Sequence, residues 1–199
     1  TTNFIYEVTD FHASKIDEIN KIDGKSKIQD RLKSILKNGG KLNFDRIAKE
    51  EFEINLRKID TVFPVFISEM LKDFFLGHAN KITDLVGLLD NNQYLQEKFR
   101  LSKSDYEYKI KNFLDAIALG MVPSKVWDGF PKAHGGYIIV KNDGDVICYH
   151  LYNRDEFLSY LYENTKLESA SSERHGYGKI YTQNEKLYFN LNLQIRFLR

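Results

Sequence analysis

The sequence predicts an α+β domain with a helix-rich middle, an N-terminal strand, and C-terminal β-hairpins that join that strand in a mixed sheet. Three observations carry this. Apolar residues recur at three- and four-residue spacing from about 14 to 120, a period that gathers them on one face of each helix. Short aromatic and β-branched runs stand at both ends of the chain. The 199 residues are 42% hydrophobic and 14% aromatic, enough to bury one continuous core, which excludes a disordered chain.

The elements follow in order. Residues 4–8 are aromatic and β-branched, closed by Thr9 and Asp10, and read as a strand. Two amphipathic helices cover 14–36 with a break at Asp23-Gly24, and Asn38-Gly39-Gly40 ends the second because Asn and Gly accept the left-handed conformation. Leu42, Phe44 and Ile47 mark a short extended piece. Phe52, Leu56 and Ile59 mark the next helix. Pro64 opens another, whose apolar content through 76 is too broad for a surface helix and places it centrally. Helices at 82–89, 93–99 and 103–119 complete the block, the last capped by Ser102 or Ser104. A connector spans 121–136. Strands at 137–140 and 146–150 form a hairpin through Asp143-Gly144, Asn153 or Asp155 caps a helix to about 163, and 165–173 reads as a polar loop. A final hairpin pairs 178–182 with 187–197. The domain is thus single over 1–199, with a helical block at about 14–120 and a C-terminal β region at about 135–199.

Charge narrows the function classes. With 29 basic and 28 acidic residues the net charge is +1, so any basic surface is local rather than global. The longest apolar stretch falls far short of the run of about 20 that crosses a bilayer, so no membrane partner is expected. One cysteine, Cys148, excludes an internal disulfide and fits a cytoplasmic setting. There is no glycine-rich phosphate loop, and the five histidines never stand at metal-ligand spacing. Glu107-Tyr108-Lys109, the best acid-x-Lys string, lies in a helical stretch and reads as a solvated face. Asp143 and Asp145 are explained by the turn they flank, and Asp10 with His12 by a surface pair. The residues alone give no catalytic set.

The C-terminal end differs. Residues 174–199 carry five basic groups against one acid, and Arg174, His175, Tyr177 and Lys179 interleave cations and aromatics with Gly176 and Gly178. Such glycines let a backbone approach a phosphate or base closely. A glycine-marked strand entrance with solvated Arg and Lys accounts for them equally well. The last strand alternates Leu191, Leu193, Ile195 and Phe197 with Asn190, Asn192, Gln194 and Arg196. Asn, Gln and Arg are the side chains that make bidentate hydrogen bonds to adenine and guanine. An ordinary polar strand face is the competing explanation.

The residues Gly135-Gly136-Tyr137-Ile138-Ile139-Val140, Cys148-Tyr149-His150, Arg174-His175-Gly176-Tyr177-Gly178-Lys179-Ile180-Tyr181 and Leu191-Asn192-Leu193-Gln194-Ile195-Arg196-Phe197 resemble the C-terminal part of HpaII-type type II restriction endonucleases. The opening Thr2-Asn3-Phe4-Ile5-Tyr6-Glu7 resembles the strand after that family's catalytic strand. The resemblance implies Mg²⁺-dependent cleavage of double-stranded DNA at a short palindrome such as CCGG, by a PD-(D/E)XK-like relative. It implies DNA contacts from Arg174, His175, Tyr177, Lys179, Asn192, Gln194 and Arg196. It also implies that the catalytic residues and metal ligands lie upstream of Thr1, in a longer enzyme of which this is the C-terminal portion. Two-fold symmetry suits a palindrome, so a homodimer is expected. A non-catalytic DNA-binding module and a helical protein-interaction module, the latter resting on the helix at 64–76, stay open on the residues themselves.

Overall fold

The computed structural model describes residues 1–130, 136–150 and 153–198. Strand β1 (Thr2–Thr9) is inner to a four-stranded antiparallel sheet of order β2-β1-β7-β6, with β2 (Lys41–Ile47), β6 (Ile180–Gln183) and β7 (Lys186–Leu193). Phe4, Tyr6 and Val8 turn to one face, where Phe189, Leu191 and Leu193 meet them in the core. The pairing of β1 with β2 contains a bulge: Ile5 lies opposite Arg46 and Tyr6 opposite Phe44, which leaves Asp45 as an extra residue. Because of it, Phe44 points to the core face and Arg46 to the opposite one.

Two short helices, α1 (Ile16–Lys21) and α2 (Lys27–Lys37), follow β1, then α3 (Glu50–Ile59) and α4 (Phe63–Leu76) follow β2. Helix α4 is the centre of the fold. It contacts β7 and β2 on one side and α2, α3 and α5 (Ile82–Asp90) on the others, burying Phe63, Phe66, Ile67, Met70 and Leu71. Tyr6 fastens the sheet to it, donating its hydroxyl to the Ser68 carbonyl at 2.8 Å. A buried hydroxyl needs such a partner. The broad apolar helix is therefore core, which leaves the interaction-module reading without its surface.

Helices α6 (Gln93–Phe99) and α7 (Lys103–Ala118) extend the helical layer, and Asp105 accepts hydrogen bonds from the Ser102 backbone and hydroxyl at the start of α7. The hairpin of β3 (Gly136–Val140) and β4 (Val146–His150) stacks on α8 (Arg154–Glu163), with the Tyr137 and Phe157 rings 4.0 Å apart. His134 and Gly135 of the connector lie outside the described residues.

Three expectations need correction. The sheet is not mixed: among the described residues every strand pairing is antiparallel, and the strands divide into three separate sheets. Both edges of β1 are filled by β2 and β7, so the β3–β4 hairpin finds its cover on α8 instead. The polar stretch 165–173 contains β5 (Thr165–Leu167) and the start of a short helix, α9 (Ser172–His175). The last strand breaks at Gln194: β7 stays in the large sheet, and β8 (Ile195–Phe197) leaves it to pair with β5. The two-residue alternation therefore does not run through 197, and Phe197 is exposed.

Candidate nucleic-acid interface

A cleft of about 580 Å³ opens between α1–α2 and the segment from α9 to β6. Its two walls are held together by Arg31. This residue stands on the apolar stripe of α2 beside Ile28, Leu32 and Ile35 and is 4% exposed. Its guanidinium donates to the carbonyls of Asn20 (2.9 Å), Ile22 (2.5 Å) and Gly178 (2.8 Å). Burial lowers its basicity, and no carboxylate contacts it among the described residues. Asn20 completes the join by exchanging two hydrogen bonds with the Ile180 backbone, at 2.8 and 2.9 Å, along the open edge of β6. Gly178 is required here: its φ is +81°, and a Cβ would fall 2.0 Å from Ile28 Cδ1.

Four cations, Lys21, Lys27, Arg31 and Lys179, line the cleft against two carboxylates, Asp23 and Glu173. Lys27 bridges the walls to Glu173 and also lies 3.5 Å from Asp23. Lys21 and Lys179 are exposed, with no ion pair among the described residues. The floor is Asn190, and Tyr181 at the rim stacks on Tyr188, ring centroids 5.7 Å apart, on the sheet face opposite α4. Arg46 lies over that Tyr188 ring at 5.3 Å and donates to Gln183 at 3.2 Å. A cationic cleft thus continues into an aromatic and amide surface, a combination suited to a sugar-phosphate backbone.

Hydrogen bonding from Lys27 holds the Glu173 carboxyl at about 2. The Lys27–Glu173 attraction is therefore complete at and above the ordinary carboxylate range and is lost only as pH falls through about 2. An NMR titration is expected to find the Glu173 midpoint near 2, and Lys27→Met is expected to return it toward the ordinary 4.5. A midpoint unchanged by Lys27→Met excludes the bridge.

The structure places the sequence-derived residues in three environments. Arg174 and Lys179 are exposed near the cleft, and His175 is half-buried, its Nδ1 3.4 Å from Thr1 Oγ1. Gln194 and Arg196 line a separate cleft of about 260 Å³ with Thr1 and Thr2, and both approach Glu168, at 3.3 and 3.5 Å. His175 lies between the two groups, since its carbonyl accepts from Asn3 at 2.8 Å. Tyr177 and Asn192 are buried in the fold. The Tyr177 hydroxyl donates to the Ala170 carbonyl at 2.6 Å and its ring lies edge-on to Phe75, while Asn192, 1% exposed, donates to Asn3 at 2.6 Å. The α1–α2 wall was not read from the sequence, although an arginine within an apolar helical stripe marked it. Glu107 pairs with Lys111 along α7 and Tyr108 is exposed, but Lys109 is part-buried and pairs with Asp60 at the end of α3, so the string is only partly a solvated helix face.

The family profile described as HpaII restriction endonuclease matches residues 1–197. The chain belongs to the HpaII restriction endonuclease family. It is 39% identical over 197 residues to the type II restriction enzyme HpaII of Haemophilus parainfluenzae, an alignment covering 99% of this chain and 54% of that protein. The chain spans about half the length of this HpaII relative. No solved structure matches. Neither match assigns catalytic groups to a segment upstream of Thr1. Among the described residues no three His, Cys, Asp or Glu side chains cluster closely enough to hold a metal ion. Nor is any helix among them long and apolar enough to cross a membrane.

Proposed function

We propose that the whole protein is a type II restriction endonuclease that cuts double-stranded DNA at a CCGG-like site with Mg²⁺, on a PD-(D/E)XK-related core, and acts as a homodimer. The part taken by this chain is to hold the duplex backbone along the first cleft. Lys21, Lys179 and Arg174 meet phosphates as mobile charges, and Arg31 supplies a fixed positive charge between the walls. Gln194 and Arg196 in the second cleft are the side chains of the original set suited to a base edge. The carrying observation is the cationic cleft itself, with Lys21 and Lys179 unpaired and Arg31 buried without a contacting carboxylate among the described residues, in a chain of this family.

Glu173 sets the test. It occupies Lys27 and repels phosphate, so Glu173→Gln is expected to tighten duplex binding several-fold at low salt, measured by fluorescence anisotropy with CCGG and scrambled duplexes. Wild-type affinity must also fall as salt rises. Binding that ignores both the substitution and the salt concentration rejects this reading.

A further inference from the structure

A separate pocket of about 280 Å³ is bounded by the end of α3, one face of α7, the segment 127–129 and the first residue of α8. Its inner wall carries Asp115, a mid-helix carboxylate that is only 4% exposed. Asp115 Oδ2 accepts from Arg154 at 2.5 Å, but the buried Oδ1 has no partner. The buried Nε1 of Trp127, another lining residue, also has none. The Trp127 backbone is held on both sides. Asn55, wholly buried, accepts from the Trp127 backbone N–H at 2.7 Å and donates to the carbonyls of Val122 and Lys125, and Lys58 donates to the Trp127 carbonyl.

Buried polar groups in folded proteins are almost always satisfied. Here one unsatisfied acceptor and one unsatisfied donor belong to residues that line the same small space. A volume of about 280 Å³ lies at the lower end of ligand pockets, enough for one heterocycle and its immediate substituent. Tyr108, exposed on the same face of α7, offers an aromatic plane at the mouth.

We propose that this pocket binds a single nucleobase, with a base N–H donating to Asp115 Oδ1 and a neighbouring base acceptor receiving the Trp127 Nε1 hydrogen. Choosing a nucleobase among heterocycles rests on the DNA reading above; the donor–acceptor pair does not. The base can come from a free nucleoside or from a nucleotide turned out of the duplex, and both present the same edge.

Trp127 is the only tryptophan of the chain, so its fluorescence reports on this pocket directly. Titrating the full chain with cytidine is expected to give a saturable change in emission. 1,3-Dimethyluracil, of similar size but without an N–H donor, is expected to give none. Asp115→Ala should weaken cytidine binding about tenfold while leaving the salt dependence of duplex binding unchanged. The Arg154 side chain is about half exposed, so it returns to water when its partner is removed. Thermal melting verifies that this variant folds; if it does not, Trp127→Phe followed by calorimetry removes the donor and keeps the ring. A duplex with one unpaired cytosine distinguishes the sources, since a matching emission change assigns the base to DNA. No response to cytidine, an equal response to 1,3-dimethyluracil, or full affinity in a folded variant overturns the proposal. Any of these leaves the first cleft's salt-dependent binding as a separate result.

Discussion

Arg31→Met is expected to lower the stability of the chain by about 3 kcal/mol and to loosen the first cleft, with urea unfolding as the measurement. Methionine keeps most of the unbranched stem, so packing beside Ile28, Leu32 and Ile35 is largely retained. The loss falls on the carbonyls of Asn20, Ile22 and Gly178, which the guanidinium now satisfies. Hydrogen bonds to a charged group contribute about 1.5–3 kcal/mol each. They do not add in full, because burying the guanidinium has its own cost, visible in its lowered basicity. A change below about 1 kcal/mol would mean that Arg31 does not join the two walls.

Lys21→Glu combined with Lys179→Glu is expected to do the reverse, leaving stability within about 0.5 kcal/mol and weakening duplex binding roughly a hundredfold at low salt. Both side chains are exposed and unpaired among the described residues, so neither supports the fold. Each phosphate contact contributes about 0.9 to the slope of log affinity against log salt. Losing two contacts should flatten that slope by about 2, and the added acids account for the rest of the loss. A slope equal to that of the wild type assigns the DNA backbone to another surface.

The helical block and the terminal strands were legible because their signals are periodic. Pro64 and the run through Leu76 gave α4 and its central place, since no surface helix is apolar on so many sides. What the sequence concealed lies in contacts between distant segments. Asn192 sits on the polar side of an alternating strand, yet it is buried, because Asn3 pairs with it from β1 and is itself bonded to the turn after α9. Tyr177, flanked by glycines, resembled a ligand-facing aromatic; Gly178 instead allows the chain to pass close over α2, and the ring lies against Phe75. Arg31 and Gly178 are 147 residues apart, and nothing local announces that one caps the other.

The extra residue in β2 has a consequence of parity. Asp45 belongs to neither regular register, and every residue after it in the strand faces the side it does by virtue of that one odd count. Were Asp45 instead drawn into unbroken alternation, the strand would offer Arg46 to the core and Ile47 to solvent. The change would exchange a guanidinium over Tyr188 for one among Phe4 and Phe44, so the fold and the surface beside the cleft would be lost together. That single added residue acts as the phase of the sheet, allowing one strand to serve a dry face along one half and a charged face along the other.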